Sequence, residues 1–181
     1  MFHFVSVKHS PLSHNTKILK EHRMKSTNEE TKKDKNCNCR GGLNNCPLKG
    51  ECLTESVVYQ AKLTASDGEV KTYTGLTERP FKTRLYGHRA DRANRKQENA
   101  TTMATFYWEK KDKGITIETT EWEILRKCHK YQPGGRNCDL CLTEKLLIMK
   151  NQDHMSLNKR SELMNSCRHR LKYKLSRVTS Q

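Results

Sequence analysis

The chain has 181 residues and a formal net charge of +15, from 35 lysines and arginines against 20 aspartates and glutamates. Only 33% of the residues are hydrophobic, so a chain of this length can bury one modest core and not two. The sequence has no apolar run of about 18 residues, which excludes a transmembrane helix, and its N-terminus lacks the pattern of a signal peptide. We expect an intracellular protein, not bound to a membrane, whose partner is a polyanion.

The eight cysteines point to metal binding rather than to disulfides, given the expected compartment. They form two groups, and each group contains a close pair, Cys37 with Cys39 and Cys138 with Cys141. Thiolates that converge in this way favour zinc, and free thiols are the alternative. The first group is Cys37, Cys39, Cys46 and Cys52, and the second is Cys128, Cys138, Cys141 and Cys167.

The N-terminal half begins with a polar, basic stretch over residues 1–36, which predicts a flexible arm. Turn-forming residues between the cysteines of 37–56 predict a compact knot. Alternation of apolar and polar residues from Val57 to Leu63 then predicts a strand. Residues 66–68 (Ser-Asp-Gly) predict a hairpin turn, and 70–77 predicts the partner strand.

The C-terminal half alternates predicted helices with one strand. Residues 81–94 and 101–113 predict two helices, and 115–127 contains a third strand. Residues 138–151 predict a further helix, and 161–177 a basic helical segment. This order predicts a small α/β domain with a mixed or antiparallel sheet.

Glu144 is an acidic residue within an apolar predicted helix, in which Leu142, Leu146 and Met149 form one stripe. A carboxylate in this position either lies on the exposed flank of the helix or points into a site. A single carboxylate can hold Mg²⁺ when phosphate and water supply the remaining ligands. Both interpretations stay open at this stage.

Two tyrosines and two basic residues form a second candidate group. Tyr59 and Tyr73 lie in adjacent predicted strands and can point from one face of the sheet. Arg84 and His88 are four residues apart and share a helix face that follows directly on the second strand. Together they suit chemistry on a phosphodiester, which needs charge stabilisation and proton movement. The alternative is a pair of ordinary strand tyrosines beside a solvated basic helix.

These residues, in this order, resemble the signature of a GIY-YIG endonuclease. Val57-Val58-Tyr59 and Tyr73-Thr74-Gly75 resemble its two tripeptides, although Val57 replaces a glycine and Thr74 replaces an isoleucine at scaffold positions. The wider sequence resembles the endonuclease domain of Penelope-like retroelements, and the resemblance covers residues 14–170. The blocks that carry it are 46–52, 73–84, 138–148, 157–163 and 167–169, while 14–19 is similar to the segment that joins such a domain to an upstream reverse transcriptase.

The resemblance implies an α/β (α+β) fold over residues 57–170, with a central three-stranded antiparallel sheet flanked by helices and a basic tail at 171–181. It also implies a role for each site residue. Tyr59 would act as general base or orient the attacking water, with Tyr73 in support and His88 as a secondary helper. Arg84 would stabilise the charge on phosphorus, and Asn158 would steady the site. Glu144 would bind one divalent ion, Mg²⁺ or Mn²⁺.

The resemblance also assigns the cysteines to structural zinc. The knot would hold one ion just before the first strand and would contact DNA beside the cleavage site. A second ion would join the Glu144 helix to the C-terminal segment, with Cys128 and His129 as competing ligands. The implied sets are Cys37, Cys39, Cys46 and Cys52 for the first ion, and Cys138, Cys141, Cys167 and His169 for the second.

The basic surface predicts contacts to a DNA backbone that are sensitive to salt and largely independent of sequence. The predicted function is a metal-dependent DNA endonuclease that nicks DNA, located in the nucleus, and an upstream reverse transcriptase is a possible partner. The alternative is an inactive, zinc-dependent module that binds nucleic acid. The predicted DNA-contacting residues are Arg79, Lys82, Arg89, Arg92, Arg168 and Arg170.

Overall fold

The computed structural model describes residues 37–40, 43–151 and 153–169. The predicted arm at 1–36, the predicted tail at 171–181 and Arg170 lie outside these residues. No helix in the described part of the chain is long and apolar enough to cross a membrane.

Three antiparallel strands form the centre of the fold, as predicted. β1 (Val57–Ala65) lies between β2 (Val70–Thr77) and β3 (Ile117–Lys127). The turn between β1 and β2 has Gly68 at a φ of +82°, which glycine adopts without strain. Because β1 has a strand on each side and helices against it, its apolar residues are almost completely buried.

Three α-helices flank the sheet: α1 (Phe81–Ala93), α2 (Thr102–Asp112) and α3 (Asp139–Lys150). Their bounds lie within one residue of the predicted ones. Thr101 begins α2 by accepting a hydrogen bond from the backbone N–H of Ala104 at 3.1 Å. The prediction of a three-stranded antiparallel sheet with flanking helices is therefore confirmed.

The two faces of β1 contribute to different clusters. Tyr59, Ala61 and Leu63 pack with residues of α1 and α2, and the cysteine knot joins the same cluster. Val58 instead packs with Leu140 and other residues of α3. The knot is consequently part of the domain core and not a separate unit.

The structure places the predicted apolar stripe of α3 on the exposed side of the helix and corrects one helical prediction. The stripe of Leu142, Leu146 and Met149 stays exposed, by 49%, 64% and 60%, because the opposite face of α3 packs on the sheet. The predicted helical segment 161–177 is interrupted: Arg160–Met164 is a 3₁₀ helix, and residues 165–167 are not helical. Helical structure begins again only at 168–169, at the end of the described chain.

A C-terminal segment, residues 155–157, pairs with the edge of β2 that does not face β1. The backbone N–H of Thr72 donates to the carbonyl of Met155, and the N–H of Leu157 donates to the carbonyl of Thr72, both at 2.8 Å. Thr72 and Ser156 form a parallel bridge here. This pairing places Asn158 beside Thr74 in the next part of the strand, next to the candidate site.

Candidate active site and metal centres

The two tyrosines lie on the same face of the sheet, as predicted. Ala61 pairs with Tyr73 across the strands, and Tyr59 is two residues from Ala61, so both phenols are on one side. Their ring centroids are 6.5 Å apart, the arrangement of diagonal neighbours in an antiparallel pair. Tyr59 is 0% exposed and Tyr73 is 8% exposed.

The hydroxyl of Tyr59, on β1, forms hydrogen bonds with two side chains of α1. Arg84 donates a hydrogen bond from Nε to this oxygen at 3.1 Å. His88 Nε2 lies 2.8 Å from the same oxygen, in a hydrogen bond buried inside the protein. Because Arg84 and His88 are one turn apart, a single helix supplies both partners. The structure thus brings Tyr59, Tyr73, Arg84 and His88 together.

The protonation states follow from burial. Burial raises the pKa of Tyr59 to about 12, although the Arg84 guanidinium opposes this rise. Burial also raises the pKa of Tyr73. It lowers the pKa of His88 to about 3, and the positive charges of Arg84 and Arg92 add to this effect. Near neutral pH the phenols are therefore protonated and the imidazole is neutral.

Glu144 of α3 is half-buried and lies near enough to this group for the charges to influence one another. Burial and, to a lesser extent, the nearby carboxylate of Glu162 together raise its pKa to about 7. The charge of Arg84 acts in the opposite direction, and the charge of Glu144 in turn raises the pKa values of Tyr59 and Tyr73. Of the two positions open from sequence, Glu144 therefore takes the half-buried one, near the tyrosines whose pKa values it influences.

Asn158 links the C-terminal segment to the strand that carries Tyr73. Its side-chain oxygen accepts from the Thr74 N–H at 2.7 Å, and its amide nitrogen donates to the Thr74 carbonyl at 2.8 Å. The amide also donates to Glu162 Oε2 at 2.9 Å. Sequence reasoning missed Glu162, although its four-residue spacing from Asn158 was a usable signal. Glu162 holds Asn158 in place and adds a second carboxylate near Glu144.

Gly75 lets the two tyrosines approach the backbone of β2. A Cβ atom at this position would lie 2.6 Å from the Tyr59 oxygen and 2.9 Å from a ring carbon of Tyr73. Neither ring can move aside easily, because both are buried and Tyr59 is held by two hydrogen bonds. A side chain at position 75 would therefore displace the phenols.

We expect Gly75→Ala to lower the free energy of unfolding by about 1–3 kcal/mol, as overpacking of a core does. Gly87→Ala is the matched control, since its Cβ would meet only Arg84 Nη1 at 3.8 Å. In the middle of α1 that change should raise stability by up to about 1 kcal/mol. Urea unfolding of the two variants measures the difference, and equal stabilities would contradict the close approach at Gly75.

The first cysteine cluster matches the predicted knot. The sulfur atoms of Cys37, Cys39, Cys46 and Cys52 all lie within 4.8 Å of one another, and those of Cys39 and Cys52 are 3.5 Å apart. Two sulfurs on one tetrahedral zinc ion are about 3.8 Å apart, so this cluster could hold zinc. Burial opposes ionisation of Cys46, but the N–H groups of Gly50 and Leu48 bond to its sulfur, and its pKa is lowered to about 6.

The knot also supplies the backbone acceptors for the start of α1. Pro80 precedes this helix and makes no side-chain cap. Instead, the N–H of Phe81 donates to the Thr54 carbonyl at 3.0 Å, and the N–H of Lys82 donates to the Cys52 carbonyl at 2.7 Å. These bonds satisfy first-turn N–H groups that lack partners within the helix. The helix that carries Arg84 and His88 is thus fixed at its beginning by the knot.

The second cluster joins α3 to the C-terminal segment. Cys141 Sγ lies 3.5 Å from Cys167 Sγ and 3.2 Å from His169 Nδ1, and Cys138 Sγ lies 3.4 Å from the same nitrogen. The other nitrogen of His169 lies 3.8 Å from Glu78 Oε2, a pairing that orients a histidine ligand. All four ligand atoms lie within 4.8 Å of one another, so this cluster also could hold zinc. The predicted competitors Cys128 and His129 are not part of it.

The predicted DNA-contacting residues divide into two sets. Arg79, Arg89 and Arg168 are exposed. Lys82 instead donates to Asn38 of the knot, with 2.7 Å to its side-chain oxygen. Arg92 is half-buried, where it donates to Thr120 at 3.2 Å and lies over the Tyr107 ring. Lys82 and Arg92 therefore have hydrogen-bond partners within the protein, whereas the other three side chains are exposed to solvent.

No protein-family model, curated protein or solved structure matches the chain. Function must therefore be inferred from the residues and their geometry.

Trp122 of β3 is a further residue of the candidate site. Its ring stacks on that of His88 with centroids 5.4 Å apart, and no sequence motif indicated it.

Proposed function

We propose that this protein is a metal-dependent DNA endonuclease of the GIY-YIG type, like those of Penelope-like retroelements. The observation that supports it most directly is the Tyr59 oxygen, which contacts both Arg84 Nε at 3.1 Å and His88 Nε2 at 2.8 Å. Hydrolysis of a phosphodiester needs a proton acceptor for water and a fixed positive charge near the phosphate. Tyr59 with His88 provides the first, and Arg84 provides the second.

In the proposed reaction, Tyr59 orients the attacking water and takes its proton. Arg84 stabilises the negative charge that builds on the phosphoryl oxygens. Asn158 and Gly75 keep β2 and the phenols in register, since one bonds to Thr74 and the other leaves room for both rings. The site is pre-organised in this sense because the protein already makes these contacts.

A divalent cation, Mg²⁺ or Mn²⁺, fits beside Glu144. Its carboxylate is partly buried next to that of Glu162, and the pKa of Glu144 is raised to about 7 by burial and by this like charge. A cation removes such repulsion, and oxygen ligands are those that Mg²⁺ prefers. When bound, the ion would neutralise charge on the leaving oxygen.

Zinc at both cysteine clusters completes the proposal. The first donor set is four thiolates, and the second is three thiolates and one imidazole, which are common structural zinc sites. Binding free energy from such sites can stabilise a fold whose hydrophobic share is only 33%. The net charge of +15 suits a DNA backbone as substrate.

A second candidate is a zinc-dependent nucleic-acid-binding module without activity. It is favoured by the complete burial of Tyr59, whose oxygen has two protein partners and a pKa raised to about 12 by its surroundings. A phenol of this kind can serve as a structural link between β1 and α1. Such a module would bind DNA with strong salt dependence and would cleave nothing.

Incubation of the full chain with supercoiled plasmid and Mg²⁺ distinguishes the two. We expect conversion to nicked circles, and a rate at least about 10²-fold lower for Glu144→Gln, which keeps the shape but loses the charge. Glu123→Gln is the matched control, because Glu123 lies exposed on β3 away from the site. Salt-sensitive DNA binding without nicking, under either Mg²⁺ or Mn²⁺, would favour the binding module and overturn the endonuclease.

A further inference from the structure

The imidazole of His88 is almost completely buried, and one of its two nitrogens has no hydrogen-bond partner in the part of the chain that the structure describes. The residue is 1% exposed, its ring stacks on Trp122, and its Nε2 bonds to the Tyr59 oxygen at 2.8 Å. Its Nδ1 is buried and has no hydrogen-bond partner among the described residues. The carboxylate oxygen Oδ2 of Asp91 lies 4.0 Å from this nitrogen, one helical turn further along α1.

A neutral imidazole carries one N–H, and its position decides what Nε2 can do. If the proton is on Nδ1, Nε2 accepts the hydroxyl proton of Tyr59. If the proton is on Nε2, the ring donates to the Tyr59 oxygen, which already accepts from Arg84, and the phenolic proton points elsewhere. Only the first tautomer gives Tyr59 a proton acceptor inside the protein.

We propose that Asp91 is a positioning residue, which keeps the proton of His88 on Nδ1 and so leaves Nε2 free to accept from Tyr59. This inference rests on the proposed endonuclease function. It assigns Asp91–His88–Tyr59 as a buried relay in which a carboxylate selects the tautomer of a histidine, and the histidine activates the phenol. A movement of about 1 Å by the carboxylate brings it within hydrogen-bond distance of Nδ1.

The surroundings of Asp91 suit this role. Its side chain is only 15% exposed, so water competes weakly for the carboxylate. Its backbone carbonyl accepts a hydrogen bond from Trp108 Nε1 at 3.1 Å, which fixes this turn of α1 against α2. At i and i+3, Asp91 and His88 lie on the same side of the helix.

The relay balances as a reaction step. As the water oxygen bonds to phosphorus and the bond to the leaving oxygen breaks, a water proton passes to the Tyr59 oxygen. The proton that Tyr59 carried passes to His88 Nε2, and the imidazolium that forms faces the negative charge of Asp91. The leaving oxygen takes a proton from solvent, and the imidazolium returns its own proton through Tyr59 to solvent, which restores the neutral imidazole.

The charges around His88 permit this transfer only with a counter-charge. Tyr59 and Tyr73 face it from the strands, and Arg84, Asp91 and Arg92 from α1; the Trp122 ring of β3 is uncharged. The two arginines oppose a positive imidazole, whereas Asp91 favours it. A bound phosphate on Arg84 shifts the balance further in the same direction as Asp91.

The tautomer of His88 can be measured without any nuclease assay. In full-length zinc-bound protein labelled with ¹⁵N-histidine, long-range ¹H–¹⁵N spectra distinguish an Nδ1–H ring from an Nε2–H ring, and His88→Gln identifies the signal. We expect the Nδ1–H form in the parent protein. Asp91→Leu, which keeps the approximate shape without an acceptor, should lose this form, while Asp91→Glu should retain it.

Single-turnover nicking provides the second measurement. We expect Asp91→Leu to be slower by about 10²-fold, the size of a general-base contribution, with unchanged DNA affinity. Asp112→Leu is the control, since it removes an exposed carboxylate that pairs with Arg95 instead. An Nε2–H ring in the parent, or the same tautomer and rate in Asp91→Leu, would overturn the relay. Absence of nicking by the parent protein would overturn the proposed function, and the spectra would still report on Asp91.

Discussion

Tyr59→Phe should lower the rate of plasmid nicking by about 10²–10⁴-fold, the range that general-base catalysis contributes. The substitution removes a single oxygen, and the ring should keep its edge-to-face contact with Phe81 at 5.2 Å between centroids. It takes away the one atom that Arg84 and His88 both contact. The loss of nicking should therefore come from the chemical step, since the aromatic packing of the ring is retained.

The stability of Tyr59→Phe should fall by about 1–3 kcal/mol, because two buried groups lose their partner. Tyr86→Phe is the matched control: Tyr86 lies on α1 with Arg84 and His88, but its side chain is 53% exposed. Single-turnover nicking, DNA affinity and thermal unfolding should be measured on both. If Tyr59→Phe cleaves as fast as the parent at equal affinity, Tyr59 is a structural link and the proposed mechanism is wrong.

Loss of metal from the first cysteine cluster should unfold the domain around the site. Cys52 is 0% exposed and packs in the same cluster as Tyr59 and Phe81, so its sulfur is part of the core. Structural zinc contributes about 10–16 kcal/mol of apparent free energy in zinc-finger peptides. A whole domain is stable by only about 5–15 kcal/mol. We therefore expect Cys52→Ser to lower the free energy of unfolding by about 5 kcal/mol or more.

Loss of the first zinc ion should affect the candidate site through the beginning of α1. The carbonyls of Cys52 and Thr54 accept from the first N–H groups of α1, and α1 carries both Arg84 and His88. A loosened knot would expose the beginning of this helix and displace the partners of Tyr59. Nicking should consequently be lost together with the fold.

Cys128→Ser provides the control for zinc, because Cys128 is a half-buried thiol outside both clusters. Zinc released by a thiol reagent should amount to two ions per chain in the parent and in Cys128→Ser, and to one in Cys52→Ser. Circular dichroism with and without a chelator should show a similar folded content for the parent and Cys128→Ser, and a lower one for Cys52→Ser. Equal zinc content and equal unfolding temperature in both variants would rule out the first site.

Periodicity and turn chemistry predicted most of the fold. The Ser-Asp-Gly turn and the alternation from Val57 specify the first hairpin, and the order of elements specifies the rest. The direction of α3 could not be predicted in this way. Its stripe of leucines and methionine is more apolar, yet the face with Leu140, Cys141 and Ile148 is buried. A helix is oriented by what it packs against, and the second cysteine cluster lies on that face.

Local pairs of the candidate site could also be predicted. The four-residue spacing of Arg84 and His88 fixes a shared helix face, and the two-residue period of strands fixes the common side of the tyrosines. Contacts between residues distant in sequence could not be predicted in this way. Asn158 reaches Thr74 across 84 positions because residues 155–157 pair with the edge of β2.

From the sequence alone, the net charge of +15 predicts a polyanionic partner. The eight cysteines predict that bound metal supports a small core. Only the tertiary structure decided which of these residues act together. It paired Lys82 with Asn38 and Arg92 with Thr120, placed Glu144 half-buried near Glu162, and left Nδ1 of His88 4.0 Å from Asp91. The physical reason is that charge and composition are properties of the whole chain, whereas burial and hydrogen-bond geometry depend on which elements pack together.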